Sequence, residues 1–130
     1  MFLDASVIVA IIAREPGYKP LLDRLEQAGQ AISSPIAVWE AAIALSRIGG
    51  RSPVTEANRV CDLLSQVDAT IMPVTEETGH AAVLAFQRYG KGTGHPAQLN
   101  LGDCFAYAMA RTLDIAILYK GDDFAQTDLA

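Results

Sequence analysis

Four carboxylates in the sequence occupy positions where an acidic side chain is expected either to be paired with a cation or to have a functional role. They are Asp4, Glu40, Asp103 and Asp122. If these groups came together, their like charges would raise one another's pKa and destabilise the fold. A hard divalent cation removes that penalty, and ligation by oxygen atoms alone suits Mg²⁺ or Mn²⁺ better than zinc. Because water bound to such ions is a nucleophile source, the set is typical of in-line attack on phosphodiesters.

Strand and helix patterns alternate along the chain and determine where these acids lie. The β-prone run MFLDA contains Asp4, and the apolar run DIAILYK precedes Asp122. The carboxyl ends of parallel strands meet at one edge of a sheet, so Asp4 and Asp122 should face the same edge. With the short strand patterns QAISS and ATIMPV, the alternation predicts one domain over residues 1–130. We expect a three-layer α/β fold, with a small, mainly parallel sheet of four or five strands flanked by helices.

The other two acids lie on predicted helices. Glu40 follows the helix start Ser34-Pro35 and has only apolar residues three and four positions away, so it should be partly buried or line a pocket wall. Asn100 is a predicted N-cap, which places Asp103 at the third helical position. An acid there favours the helix dipole, so capping alone is one explanation of Asp103.

Each of the remaining acids also has a purely structural interpretation. Asp4 could cap the following helix beside Ser6, and Glu40 could face solvent. The pair Asp122 and Asp123 could be turn residues after a glycine. If there is no metal site, all of these structural interpretations must be true at once for acids that the fold directs toward one edge of the sheet. A single shared metal site explains the same acids together and is therefore favoured.

Composition restricts the class of protein. The 130 residues are 51% hydrophobic and 19% charged, as expected for one folded unit. A net charge of −5 argues against nucleic-acid binding by bulk electrostatics, although it allows a local basic rim.

Two cysteines without a CxxC pattern predict neither a disulfide framework nor a zinc site. No run spans a bilayer or resembles a signal peptide, so we expect a cytoplasmic protein without a membrane partner. Candidates for the local basic rim that could contact nucleic acid are Arg14, Lys91, His95 and Lys120.

Four blocks of the sequence together resemble one known family. These are FLDAS at the N-terminus, Glu40 in its apolar helix, LNLGDCFAYAMA, and LYKGDDFAQTDL near the C-terminus. They resemble the PIN-domain ribonucleases of the VapC toxin type, in order and over essentially the whole chain. The resemblance implies a PIN-like fold and a Mg²⁺-dependent endoribonuclease, and the oxygen-only donor set allows Mn²⁺ as a substitute. It also implies the toxin of a type II toxin–antitoxin pair, usually homodimeric, that cleaves RNA and is silenced by a small antitoxin in the active-site groove.

The resemblance also implies roles for individual residues. Asp4 and Asp103 match the principal metal ligands, and Glu40 matches the third acid. Ser6 matches a hydroxyl residue that supports the first aspartate. For the fourth acid we prefer Asp122, with the adjacent Asp123 fixing the turn or capping a final helix.

Two other functions remain as alternatives. One is a catalytically silent PIN-like protein-binding module, although none of the four acids is missing. The other is a Mg²⁺-dependent phosphoryl-transfer domain, although ATIMPV lacks the aspartate that a receiver domain needs and Ser6 stands where a haloacid-type phosphatase needs one. We further expect the apolar faces around Val9, Ile12 and Leu45 to form part of an antitoxin or dimer surface. Trp39 and Tyr107 are expected in the core or an interface rather than stacked on bases.

Overall fold

The computed structural model describes all residues from 1 to 130 and contains a four-stranded sheet. Its strands are β1 (Phe2–Leu3), β2 (Ile32–Ser33), β3 (Thr70–Ile71) and β4 (Ile117–Leu118). Their order in the sheet is β3-β2-β1-β4 and every pairing is parallel. Phe2 is paired with Ile32 on one side and with Ile117 on the other. The prediction of a small, mainly parallel sheet is therefore confirmed.

Six helices cover the two faces of this sheet. They are α1 (Ala5–Ile12), α2 (Tyr18–Gln27), α3 (Pro35–Gly49), α4 (Pro53–Gln66), α5 (Glu76–Tyr89) and α6 (Leu101–Thr112). Side chains alternate along a strand, so Phe2 and Ile117 join the core beneath α5 and α6, whereas Leu3 and Leu118 join the core beneath α1 to α4. The predicted three layers are present.

Local capping signals begin four of the helices, and two of these helix starts, at Ser34 and Asn100, were predicted from the sequence. In each, a side-chain oxygen accepts a hydrogen bond from the backbone N–H three residues later, which satisfies a donor that the helix leaves free. At α1 the cap is Asp4 and not Ser6. The segment after β4 forms turns and not a final helix. The suggestion that Asp123 caps such a helix is therefore wrong. The four caps are Ser34, Ser52, Thr75 and Asn100.

The predicted partner surface on α1 and α3 is wrong. Val9 and Leu45 are buried, and Ile12 packs against the same core, because α1 lies against α2, α3 and α4. Tyr107 is buried as expected, but Trp39 is 64% exposed and belongs to no core cluster. No helix has the length and apolar character needed to cross a membrane.

Candidate functional site

A cleft of about 510 Å³ lies at the carboxyl end of the sheet. It contains three of the four acids predicted from the sequence, namely Asp4, Glu40 and Asp103. A larger depression of about 790 Å³ on α5 contains none of the predicted site residues. The ionisable side chains that line the cleft are five carboxylates and one ammonium: Asp4, Glu15, Glu40, Asp103, Asp123 and Lys120.

Asp4 is held where β1 passes into α1. Its backbone N–H donates to the Leu118 carbonyl at 3.1 Å, which fixes it beside the end of β4. Its Oδ2 accepts from the Ser6 N–H at 2.9 Å and from the Ser6 hydroxyl at 2.5 Å. The Lys120 N–H in turn donates to that hydroxyl oxygen at 3.0 Å. Ser6 therefore supports Asp4, and it does so by linking the carboxyl ends of the neighbouring strands β1 and β4.

Asp103 is oriented by a reciprocal cap at the start of α6. The Asp103 N–H donates to Asn100 Oδ1 at 3.0 Å, and the Asn100 N–H donates to Asp103 Oδ2 at 2.8 Å. Oδ1 of Asp103 accepts no hydrogen bond within the chain, although the residue is only 8% exposed. The capping interpretation is thus correct but incomplete, because the cap uses one carboxylate oxygen and leaves the other free in the cleft.

Glu40 reaches the cleft from the middle of α3 across the first turn of α6. A β-carbon placed on Gly102 would lie 1.9 Å from Glu40 Oε1, so only glycine leaves room for this carboxylate. No lysine or arginine is paired with Glu40. The role of Gly102 was missed in the sequence, although a glycine is a poor helix former and its place in a first turn was a usable signal.

The fourth acid in the cleft is Asp123 and not Asp122. The chain turns at Gly121, which has a φ of +107° that favours glycine, and this turn directs the second aspartate toward the other acids. The charge of Asp123 raises the pKa of both Asp4 and Asp103, whereas Asp122 contributes to neither. Our preference for Asp122 is corrected to Asp123 for this reason.

Burial and mutual repulsion raise the pKa of three of the acids. Burial, with added repulsion from Asp4 and Asp103, raises the pKa of Glu40 to about 7. Burial also raises the pKa of Asp103 to about 6, against the lowering effect of the Asn100 N–H. The pKa of Asp4 is raised by burial although its Ser6 hydrogen bonds oppose this. A cation in the cleft would favour the ionised carboxylates and displace their protons.

The donor set fits a hard divalent cation. All the acids offer oxygen atoms, and no cysteine or histidine lines the cleft. No three of the metal-binding side chains are positioned to hold one ion together. Mg²⁺ usually takes one or two carboxylates directly and keeps several waters, so two oriented acids are sufficient. Asp4 and Asp103 are the two that backbone hydrogen bonds hold in place.

The raised pKa values predict an unusual pH dependence of stability in the metal-free protein. Between the ordinary carboxyl values near 4 and the raised values of about 6 and 7, the folded state binds more protons than the unfolded state. The extra protons bound by the folded state stabilise it fully at a pH below the ordinary carboxyl pKa values. This stabilisation is lost as the pH rises through the raised pKa values of Asp103 and Glu40. We expect the melting temperature in EDTA to fall between about pH 5 and about pH 8. Thermal melts measure this, and Mg²⁺ should reduce the decrease. An increase over this range would contradict the site electrostatics.

Of the four predicted rim residues, only Lys120 lines the cleft. His95 has a structural contact instead, since its Nδ1 accepts from the Ala97 N–H at 3.1 Å. Its ring also packs edge-on against Tyr89. Glu15, which pairs with Lys120, was not identified in the sequence because it lies in the turn after α1.

Comparisons with known proteins agree with this architecture. Residues 1–129 match the PIN domain family. A VapC ribonuclease of Rhizobium meliloti (strain 1021) is 45% identical, over 98% of this chain and 98% of that protein. Ribonuclease VapC42 of Mycobacterium tuberculosis is 37% identical, over 99% of this chain and 96% of its own length.

Two solved structures share the fold at lower identity. A toxin–antitoxin complex from Klebsiella pneumoniae has a TM-score of 0.69 at 17% identity, over 98% of this chain and 92% of the matched chain. The sarcin-ricin loop cleaving toxin VapC20 of Mycobacterium tuberculosis has a TM-score of 0.70 at 16% identity, over 95% of this chain and 92% of that chain. The parallel sheet and its helical layers are therefore a known arrangement.

Proposed function

Because the chain belongs to the PIN domain family and, within it, to the VapC ribonucleases, we propose that it is a metal-dependent endoribonuclease. We propose further that it is the toxin of a type II toxin–antitoxin module. The observation that best supports an active enzyme is that Asp4, Glu40, Asp103 and Asp123 line one cleft. A catalytically silent binding module would have no need to keep this mutually repelling set.

We propose Mg²⁺ as the cofactor, with Mn²⁺ as a substitute, and Asp4 and Asp103 as its direct ligands. When bound, the ion supplies a Lewis acid that activates water for in-line attack on an RNA phosphodiester. Ser6 keeps Asp4 in its rotamer, and Asn100 does the same for Asp103. Glu40 and Asp123 face the same space from the other elements and would orient water molecules or hold a second ion.

We also propose two protein partners, a small antitoxin and a second copy of the chain. The Klebsiella pneumoniae relative in fold is a toxin–antitoxin complex, which supports the first. An apolar groove between α5 and the start of α6 supports a protein contact, since Val83, Phe86 and Leu101 are 65%, 45% and 68% exposed. Light scattering at high concentration tests the homodimer, and a monomer mass would contradict it. The cytoplasmic location stays a prediction.

Cleavage of a structured RNA by the purified chain tests the enzymatic proposal. We expect cleavage in Mg²⁺ or Mn²⁺, none in EDTA, and recovery when the metal is returned. Controlled expression in a bacterial host, followed by mapping of RNA ends, should reveal new cleavage sites for the unmodified chain and none for the Asp4→Asn variant. Cleavage that survives EDTA would contradict the metal mechanism. A folded protein that binds Mg²⁺ but cuts no RNA would favour the silent module or a phosphoryl-transfer domain.

A further inference from the structure

Lys120 is the only cationic side chain in a cleft that contains five carboxylates. Its ammonium contacts Glu15 Oε2 at the rim, and the two side chains are 34% and 33% exposed. Glu15 lies in the turn that follows α1, 105 residues away in sequence. The pair thus joins the far end of α1 to the segment after β4.

The backbone of Lys120 is fixed to the acids, although its side chain reaches the rim. Its N–H donates to the Ser6 hydroxyl at 3.0 Å, and that hydroxyl donates to Asp4 at 2.5 Å. Two hydrogen bonds therefore separate the Lys120 backbone from the most deeply buried acid of the site. Any movement of the ammonium must come from the flexible side chain, because the backbone is held.

We propose that Lys120 binds a phosphate of the RNA backbone, and that Glu15 holds the ammonium at the rim until the RNA replaces it. This inference rests on the proposed endoribonuclease function. A pair as exposed as this one contributes little to stability, so its exchange costs little. The ammonium exchanges one charge-assisted hydrogen bond, to the Glu15 carboxylate, for another of the same kind, to a phosphate oxygen.

Glu15 has a second effect in this arrangement. Asp4, Glu40 and Asp103 would each attract an ammonium placed among them, and a lysine there would compete with the cation. Glu15 keeps the Lys120 ammonium away from these carboxylates in the absence of RNA. The alternative is a purely structural ion pair that ties the two segments together.

Steady-state cleavage by Lys120→Ala in Mg²⁺ tests the phosphate contact. We expect KM to rise about tenfold and kcat to change by less than about twofold, because a contact made equally in substrate and transition state affects KM alone. The slope of log KM against log salt should decrease by about 0.7, the value for one phosphate of a single strand. Fluorescence anisotropy with a labelled RNA, in Ca²⁺ in place of Mg²⁺, measures the affinity without reference to turnover.

Two further variants serve as controls for this measurement. Lys120→Arg keeps the charge and should retain most of the affinity. Arg24→Ala removes the same charge from an exposed position on α2 that has no ion pair and does not line the cleft, and it should leave KM and the salt slope unchanged. If Lys120→Ala behaves like Arg24→Ala while the unmodified protein cleaves RNA, the phosphate role is overturned. If the unmodified protein cleaves no RNA, the proposed function itself has failed.

The Glu15 part of the inference is tested by a double-mutant cycle. Glu15→Gln releases the ammonium, so at saturating Mg²⁺, which outcompetes the ammonium for the cleft acids, KM should fall about two- to threefold, and this gain should vanish in the Lys120→Ala background. An equal gain in both backgrounds would show that Glu15 acts by direct repulsion of RNA and would overturn its holding role. A lower melting temperature in both single variants with no change in KM would overturn the inference in favour of the structural tie.

Discussion

Asp103→Asn is expected to reduce RNA cleavage about a thousandfold or more and to stabilise the metal-free protein at neutral pH. The activity is lost because asparagine removes a full negative charge from one of the two oriented metal ligands, and a bound cation is worth several kcal/mol to this chemistry. The fold should tolerate the change. The side-chain oxygen of asparagine can still accept the Asn100 N–H that now bonds Asp103 Oδ2 at 2.8 Å, so the cap of α6 is retained.

The gain in stability follows from the raised pKa of Asp103. Because burial raises this pKa to about 6, the ionised carboxylate at neutral pH is less favourable in the folded than in the unfolded protein. A neutral side chain removes that cost and also relieves the repulsion that Asp103 exerts on Glu40. The melting temperature in EDTA should therefore rise at about pH 7.5, whereas the increase that Mg²⁺ gives the unmodified protein should largely disappear.

Single-turnover cleavage and thermal melts with and without Mg²⁺ measure the two effects. Asp62→Asn is the matched control, because Asp62 is exposed on α4 and does not line the cleft. It should change neither cleavage nor the response to Mg²⁺. Retained cleavage in Asp103→Asn would remove this residue from the metal site. A melting temperature that falls in EDTA would show that the carboxylate stabilises the fold.

The beginnings of two helices could be predicted because their signals are local. The pair Ser34-Pro35 begins α3 and Asn100 begins α6, since a cap depends only on a few consecutive residues. The order of strands and helices places Asp4 and the Gly-Asp-Asp segment at one sheet edge by the geometry of parallel strands alone. Those two kinds of reasoning were enough for the architecture and for Asp4 and Asp103, and the apolar helical neighbours of Glu40 indicated the third acid of the cleft.

The residues that could not be predicted depend on contacts between distant elements. Whether Asp122 or Asp123 faces the cleft depends on the turn at Gly121, where a shift of one residue reverses the direction of the side chain. The apolar residues of α1 indicated a partner surface, yet periodicity reports how apolar a face is and not which helix covers it. Glu15 acquires its role only from a contact 105 residues away in sequence.

Gly102→Ala is expected to reduce cleavage about ten- to hundredfold without destabilising the protein, the range typical of residues that position metal-site side chains. The added β-carbon would overlap the whole carboxylate of Glu40, at 1.9 to 2.1 Å from its three atoms. Those atoms end a flexible side chain, so Glu40 can rotate away with little cost to the fold. Alanine also favours a helix over glycine by up to about 1 kcal/mol, so the melting temperature should stay constant or rise.

A cycle with Glu40→Ala shows whether Gly102 acts through Glu40. Once the carboxylate is gone, Gly102→Ala should cause no further loss of cleavage, because nothing remains to be displaced. Gly79→Ala is the matched control, since this helical glycine on α5 has no atom within 4 Å of an added β-carbon. Full activity in Gly102→Ala, or an undiminished loss in the Glu40→Ala background, would contradict the role of Gly102. Loss only when Glu40 is present would identify a glycine that positions a catalytic acid by leaving space for it.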